Sequence, residues 1–411
     1  MWEADQPKSS RHGHKRDSGR VDCYPTQFNA VFQAFTMKQS LLELDPGADA
    51  LLILQCPNLQ RVHAVKEDDV MHEKEIPESK TSTSPRPKGK KKIKTPTDFD
   101  AITSLQPYQE NGNPNEIKFR VSTKHLCIAS PVFSRMIKGN FQESQPNDGG
   151  LFEIRASDWN TRALLVLLDI IHGHHSQVPR NLDLDTVAQI GLLVDYYDCL
   201  EIVQVFFDHW HAHLHDWWKY SWLSFDKSSM NPFGEAESIL LFIAWTFRSP
   251  VVFRNLTISA IGTTSGLVET NLPIPNQIFD QIDQQRIGLL HELFSRLYTL
   301  QENLFVGQIG CSLECSCRLL GYLMKQMRDQ GLPMMKPEQP FLGFSVASVA
   351  DFIRGIKTPS WYSKKQNLDP CKLEKTLCWD MEGLGKSLAG LSLEAFSLEP
   401  GSSREASGTL G

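Results

Sequence analysis

The N-terminal stretch MWEADQPKSSRHGHKRDSGR lacks the apolar run of a secretory signal, and no window of about 18 uninterrupted apolar residues occurs along the chain. The richest window, Ala236 to Phe247, is broken by Glu237 and Ser238. Secretion and a membrane span are therefore not expected, and the expected location is intracellular, in the nucleus, the cytoplasm or both. Excess charge of one sign is lacking too. With 42 Lys+Arg against 48 Asp+Glu, a net charge of −6, a protein that coats nucleic acid over its whole surface is excluded. Catalytic signatures are missing: there is no HExxH, no GxSxG and no dinucleotide fingerprint. Gly383-Leu384-Gly385-Lys386-Ser387 holds the GKS of a phosphate loop, but Asp380 stands where that loop needs glycine and no strand precedes it. No enzyme and no organic cofactor are expected. The nine cysteines are an odd number spread over a long chain, which favours buried thiols or a metal site over a disulfide framework.

What is present is an ordinary globular composition, 41% apolar over 411 residues, enough for two or three units. Residues 1–44 read as a mostly disordered arm. Within it Phe28, Val31, Phe32 and Phe35 fall at i, i+3, i+4 and i+7, which predicts an amphipathic helix at 25–43 whose apolar stripe needs a partner, either a second copy in a homodimer or this chain's own surface. Residues 45–228 form an α+β unit. Ala50-Leu51-Leu52-Ile53-Leu54 is a buried strand, Ile117 to Val121 alternates with period two, and Leu151 to Ile154 is a third strand. Ser130 caps a short helix with Pro131 in its first position that stops at Gly139. Three further helices start at Ser157, Asp183 and about Leu200. Between the first two strands, at about 65–115, lies a basic insertion that reads as disordered, because Lys80 to Thr97 holds no acidic residue and little that could form a core. Residues 229–395 read as helical, including a long amphipathic segment from Asn276 with Ile278, Ile282, Leu289, Leu293, Leu297, Leu300 and Leu304 on one face. Residues 396–411 read as a disordered tail.

The run FRVSTKHLCIASPVFSRMIKGNFQES resembles the BTB/POZ domain, through Phe119 and Val121, His125-Leu126, Ala129-Ser130-Pro131-Val132-Phe133, Gly139 and Phe141-Gln142-Glu143-Ser144. The likeness continues through His172-Gly173 and Val194-Asp195-Tyr196-Tyr197, where Tyr196 replaces the family's usual lysine. Phe242 to Trp245, Leu272 to Pro275, Pro340 to Gly343 and Pro359-Ser360-Trp361 look like segments of filamentous-fungal BTB proteins, so the resemblance spans about 45–395 apart from the insertion. It implies a short three-stranded sheet with a helical cluster, followed by an all-helical C-terminal region. It also implies a non-enzymatic protein-binding role, as an adaptor or scaffold. One branch is recruitment to a cullin-type ubiquitin ligase, since Phe141 and Glu143 stand where such proteins carry an apolar-x-Glu motif; the alternative is that Phe141 covers the core and Glu143 is merely solvated. The rival class is a nuclear regulator that combines self-association with the basic segment.

Three further groups carry candidate chemistry. Lys88, Lys90, Lys91, Lys92 and Lys94 read as a nuclear import signal or an anion-binding patch, against a solubilising loop. No zinc finger or helix-turn-helix stands beside them, so sequence-specific nucleic acid binding is not expected. His209, His211, His213 and His215 form two i,i+4 pairs on different sides of a helix, each short of a full metal shell, and read as a solvated face. Cys311, Cys315 and Cys317, with the distant pair Cys371 and Cys378, are candidates for structural zinc, Cys311, Cys315 and Cys371 first among them; the competing reading is that Cys315 and Cys317 are small buried residues at a helix start.

Overall fold

Continuous hydrophobicity in Ala50–Gln55 (β2) and alternation in Glu116–Val121 (β3) suit two neighbouring strands, one covered on both faces and one on a single face. The computed structural model pairs them antiparallel, with Leu52 opposite Phe119. Ile117, Phe119 and Val121 of β3 are fully buried, while the residues between them are half-buried. Phe152–Ser157 (β4) runs parallel to β2 on its other side. The structure describes residues 41–63, 102–218, 232–358, 371–376 and 388–396. The chain divides into two compact units, Met1–Lys38 and Gln39–Gly411, and all described residues lie in the second.

The sheet has four strands rather than three. Leu41–Glu43 (β1) pairs parallel with β3, giving the order β1-β3-β2-β4. This corrects the expected helix at 25–43 in its last three residues. Its other residues, with Phe28, Phe32 and Phe35, lie outside the described residues. A three-residue edge strand carries no periodicity of its own. Its place is fixed by β3, through the backbone pairing, the Leu44 N–H donating to Arg120 O at 3.1 Å, and an Arg120–Glu43 ion pair at 3.4 Å.

The insertion does connect β2 to β3, but it is shorter than the sequence implied. Residues 102–107 are held against the α+β part and Asn115 is buried, while 108–114 are exposed. Asn58, in a left-handed conformation (φ 62°) that asparagine tolerates, donates through Nδ2 to Leu105 O at 2.9 Å and Thr103 O at 3.3 Å, and its Oδ1 accepts from the Thr161 N–H at 2.8 Å. The Asn115 side chain, 4% exposed, donates to Gln106 O at 2.8 Å. Deleting residues 66–100 and joining the ends with a short Gly/Ser linker is expected to leave the melting temperature nearly unchanged, because closure entropy varies only slowly with loop length. Extending the deletion to residue 113 is expected to lower it clearly, by removing the acceptors of Asn58 and the packing of Leu105. Equal melting of the two deletions would contradict this packing.

Two short helices follow β3: Thr123–Ala129 (α1) and Pro131–Lys138 (α2). The Ser130 side chain caps α2 by accepting from the Phe133 N–H at 3.1 Å. After β4 come Thr161–Ile171 (α3), Leu184–Tyr197 (α4) and Leu200–Trp218 (α5). Asp183 caps α4 as expected, whereas α3 starts later than expected with Asn160 as its cap, because Ser157 still belongs to β4. Beyond them lie Glu235–Thr246 (α6), Pro250–Thr263 (α7), Asn276–Phe305 (α8), Leu313–Asp329 (α9), Val346–Gly355 (α10) and Leu373–Thr376 (α11), with no strand among the described residues of this region.

The helical region is an extension of the core of the α+β part. A single apolar cluster runs from Leu52 and Phe119 through Ile190 and Leu193 of α4 to Phe242 of α6 and on to Leu293 of α8. Gly191 lets α6 approach α4: a Cβ there would meet the Phe242 ring at 3.1 Å. Every apolar position named for α8 is buried, and Arg286, on the same stripe, is fully buried among them. Among the described residues no helix is long and apolar enough to cross a membrane.

Candidate functional site

The C-terminal end of α2 presents the aromatic residue that the sequence singled out. The helix closes at Gly139, whose N–H donates to Arg135 O at 2.8 Å. The Phe141 ring lies directly over this glycine: a Cβ at Gly139 would stand 2.8 Å from two ring carbons and 2.5 Å from Arg135 O. Phe141 nevertheless stays 58% exposed, so it does not cover the core. Its carbonyl accepts from both the N–H and the hydroxyl of Ser144, at 3.1 and 2.6 Å, which closes the 3-10 turn Gln142–Ser144 and holds Glu143 half-buried beside it. The arrangement is an apolar ring set over a helix end, with a half-buried carboxylate two residues further along the chain.

Behind this end stands a rigid polar and aromatic support. The Ser130 hydroxyl donates to Tyr197 O, and the Phe133 and Tyr197 rings stack at 4.2 Å and 14°. Burial pushes the Tyr197 phenol upward and the Cys199 thiol up to about 12, so both stay protonated and neither is a nucleophile at neutral pH. Tyr196 is 58% exposed and meets Trp159 edge-on at 5.2 Å. His172 accepts from the Ser122 N–H through Nε2 at 3.0 Å and donates through Nδ1 to Leu168 O at 2.8 Å. Burial holds it below the ordinary imidazole value, and it therefore joins α1 to α3 as a neutral ring. His63 does the reverse. Set between Asp185 at 2.9 Å and Glu235 at 3.2 Å, it is held above its ordinary value by the Asp185 hydrogen bond, and it ties the loop after β2 to the first turns of α4 and α6.

The second candidate is brought together by the fold. The sulfurs of Cys311, Cys315 and Cys371 all lie within 4.8 Å of one another. Gly310, at φ 124°, turns the chain back on α9 so closely that a Cβ there would come within 2.9 Å of Ser316 N. Ser312 then caps α9, accepting from the Cys315 N–H at 3.2 Å, which puts Cys311 just before the helix and Cys315 in its first turn. The third sulfur arrives because Leu373 is fully buried and Thr358 binds the Glu374 carboxylate twice, at 2.8 and 2.6 Å. Burial, and then proximity to Cys315 and Cys311, push the Cys371 thiol up. The roles of Gly139, Gly310 and Ser312 are not announced by chemically active side chains; the signal for them was a glycine next to a helix boundary and, for Ser312, a serine in the capping position.

Among the described residues the remaining candidates do not gather. Cys317 is exposed and outside the cluster. His209 is exposed and His211 half-buried, its ring 5.5 Å from Phe207. The side chains of His213 and His215, Cys378, residues 383–387, and Lys88, Lys90, Lys91, Lys92 and Lys94 lie outside what the structure describes.

A family model for the BTB/POZ domain matches residues 112–214, from just before β3 to within α5. β1 and β2 lie upstream of the match, beyond the insertion. No curated protein and no solved structure matches the chain.

Proposed function

Starting from residues 112–214 as a BTB/POZ domain, a protein-interaction module, we propose that this protein is a non-enzymatic adaptor that delivers bound partners to a cullin-type ubiquitin ligase. The supporting observation is Phe141: a large apolar ring held over Gly139, more than half exposed, with Glu143 beside it, at the end of the helix where ligase adaptors carry an apolar-x-Glu motif. An exposed ring whose position is already fixed loses little entropy when a partner covers it. Burying the 58% of it that is exposed contributes about 1 to 2 kcal/mol, so Phe141→Ala should weaken binding of the full chain to a purified cullin N-terminal region by roughly fivefold to thirtyfold. Calorimetric titration measures this. No binding by the wild type at tens of micromolar, or equal affinity for the variant, would refute the adaptor reading.

A nuclear regulatory role is the second reading, favoured by the lysine-rich run from Lys80 to Thr97. The deletion of residues 66–100 tests it in the same protein, since an unchanged subcellular distribution removes the import signal from consideration.

A further inference from the structure

We propose that Cys311, Cys315 and Cys371 form a zinc site that fastens the C-terminal segment 371–376 to the turn between α8 and α9. This inference does not depend on the adaptor reading.

The argument begins with distance. In a tetrahedral zinc–thiolate site the metal–sulfur bond is about 2.3 Å, which places neighbouring sulfurs about 3.8 Å apart. Three sulfurs already within 4.8 Å of one another need to close by only about 1 Å, a rotamer adjustment rather than a backbone movement. The three are not linked to one another, and each stands as a free thiol.

The elements that deliver them are each fixed for independent reasons. The Gly310 turn and the Ser312 cap set Cys311 and Cys315, and the Thr358–Glu374 pair with buried Leu373 sets Cys371. A soft, thiophilic divalent cation suits an all-sulfur donor set, whereas magnesium and calcium demand oxygen.

Charge also fits. On binding, each thiol gives its proton to solvent, and three thiolates around Zn²⁺ leave a net charge of −1. Cys315 sits in the first turn of a 17-residue helix, where the helix dipole favours negative charge. Cys311 is exposed, so a water can take the fourth position. Among the described residues no fourth His, Cys, Asp or Glu joins the group.

The test uses the full chain purified without chelator from zinc-supplemented medium. Elemental analysis should find about one zinc per chain in the wild type and in Cys317→Ser, and little in Cys311→Ser and Cys371→Ser. Cys311 is exposed, so its replacement should leave the melting temperature of the apo protein unchanged and keep the comparison interpretable. Co²⁺ added to the apo protein should give thiolate-to-metal charge-transfer absorption that Cys371→Ser abolishes. Hydrogen exchange at the Leu373 amide, which donates to Thr358 Oγ1 at 2.8 Å, should accelerate when zinc is chelated. The proposal is overturned by wild-type protein that takes up neither zinc nor cobalt, or by full zinc retention in both Cys311→Ser and Cys371→Ser.

Discussion

Replacing Asp283 with alanine is expected to cost about 3 to 5 kcal/mol in unfolding free energy, far more than the loss of any other ion pair described in this protein. Its partner Arg286 is fully buried and donates through Nε to Asp283 Oδ1 at 2.8 Å, with Nη2 2.7 Å from the same oxygen; the guanidinium also reaches Pro340 O at 2.8 Å, Phe344 O at 3.3 Å and Phe341 O at 3.4 Å. Asp283 supplies the only negative charge among these acceptors. Without it the guanidinium is left in the apolar interior with neutral carbonyls alone, so the penalty is that of an uncompensated buried cation rather than of a lost contact. The exposed pairs Arg296–Glu292, Arg318–Glu314 and Arg354–Asp351 are each worth no more than about 0.5 kcal/mol, because solvent screens them. Adding Arg286→Met to Asp283→Ala should recover part of the loss, since an apolar side chain of similar length needs no counter-charge. Urea unfolding of the two variants measures both effects. A single-variant loss below about 1 kcal/mol, or a double variant no more stable than the single, would mean that Arg286 is not held in the way its contacts imply.

The second large effect is expected at Gly390. A Cβ there would stand 2.1 Å from Arg254 O and 2.9 Å from Arg254 C, inside the backbone of α7, where no rotamer change can relieve it. Gly390→Ala should therefore lift residues 388–396 off α7. That exposes Leu388, Leu391 and Leu393, each at most 5% exposed, and breaks the Leu391 N–H bond to Thr257 Oγ1 at 2.9 Å. At about 1.5 to 3 kcal/mol for each leucine as an upper bound, undocking should cost several kcal/mol. Gly288→Ala is the control. It lies in α8 with nothing within 4 Å of its Cβ position, so the substitution should stabilise the protein by about 0.5 to 1 kcal/mol. Thermal unfolding, with hydrogen exchange at Leu391, separates the cases, and a Gly390→Ala protein that melts with the wild type would show that the segment does not need this close approach.

Both sites show where reading from sequence stops. Ser130-Pro131, the Asp183 cap and the alternation in β3 were legible because local chemistry decides them within a few residues. Arg286 was not: it falls on the apolar stripe between Ile282 and Leu289, and a charged residue there reads as an interruption until the Pro340–Phe344 carbonyls are seen around it. β1 was missed for a related reason, since its pairing partner lies far along the chain in β3. The cysteines divide along the same line. Cys311 and Cys315 belong together by helical spacing, but the arrival of Cys371 depends on Leu373 and Thr358, which no local pattern announces. The exposure of Phe141 likewise depends on the glycine two residues before it, which the sequence marked only as a helix stop.

The strand order also constrains how the chain comes to be folded. β2 and β3 are sheet neighbours, yet residues 56–115 separate them, and β1 and β4 attach only to these two strands. Closing a loop of roughly 60 residues instead of a five-residue hairpin costs about 2 kcal/mol more in entropy, equivalent to a roughly fortyfold slower closure where that cost falls before the rate-limiting step. On a growing chain, β2 emerges from the ribosome well ahead of both of its partners. Leu52, Ile53 and Leu54 must then wait, unpaired and open to intermolecular pairing, until residues through Ser157 have been synthesised, and for that interval the nascent chain rather than the finished protein carries the greatest aggregation hazard.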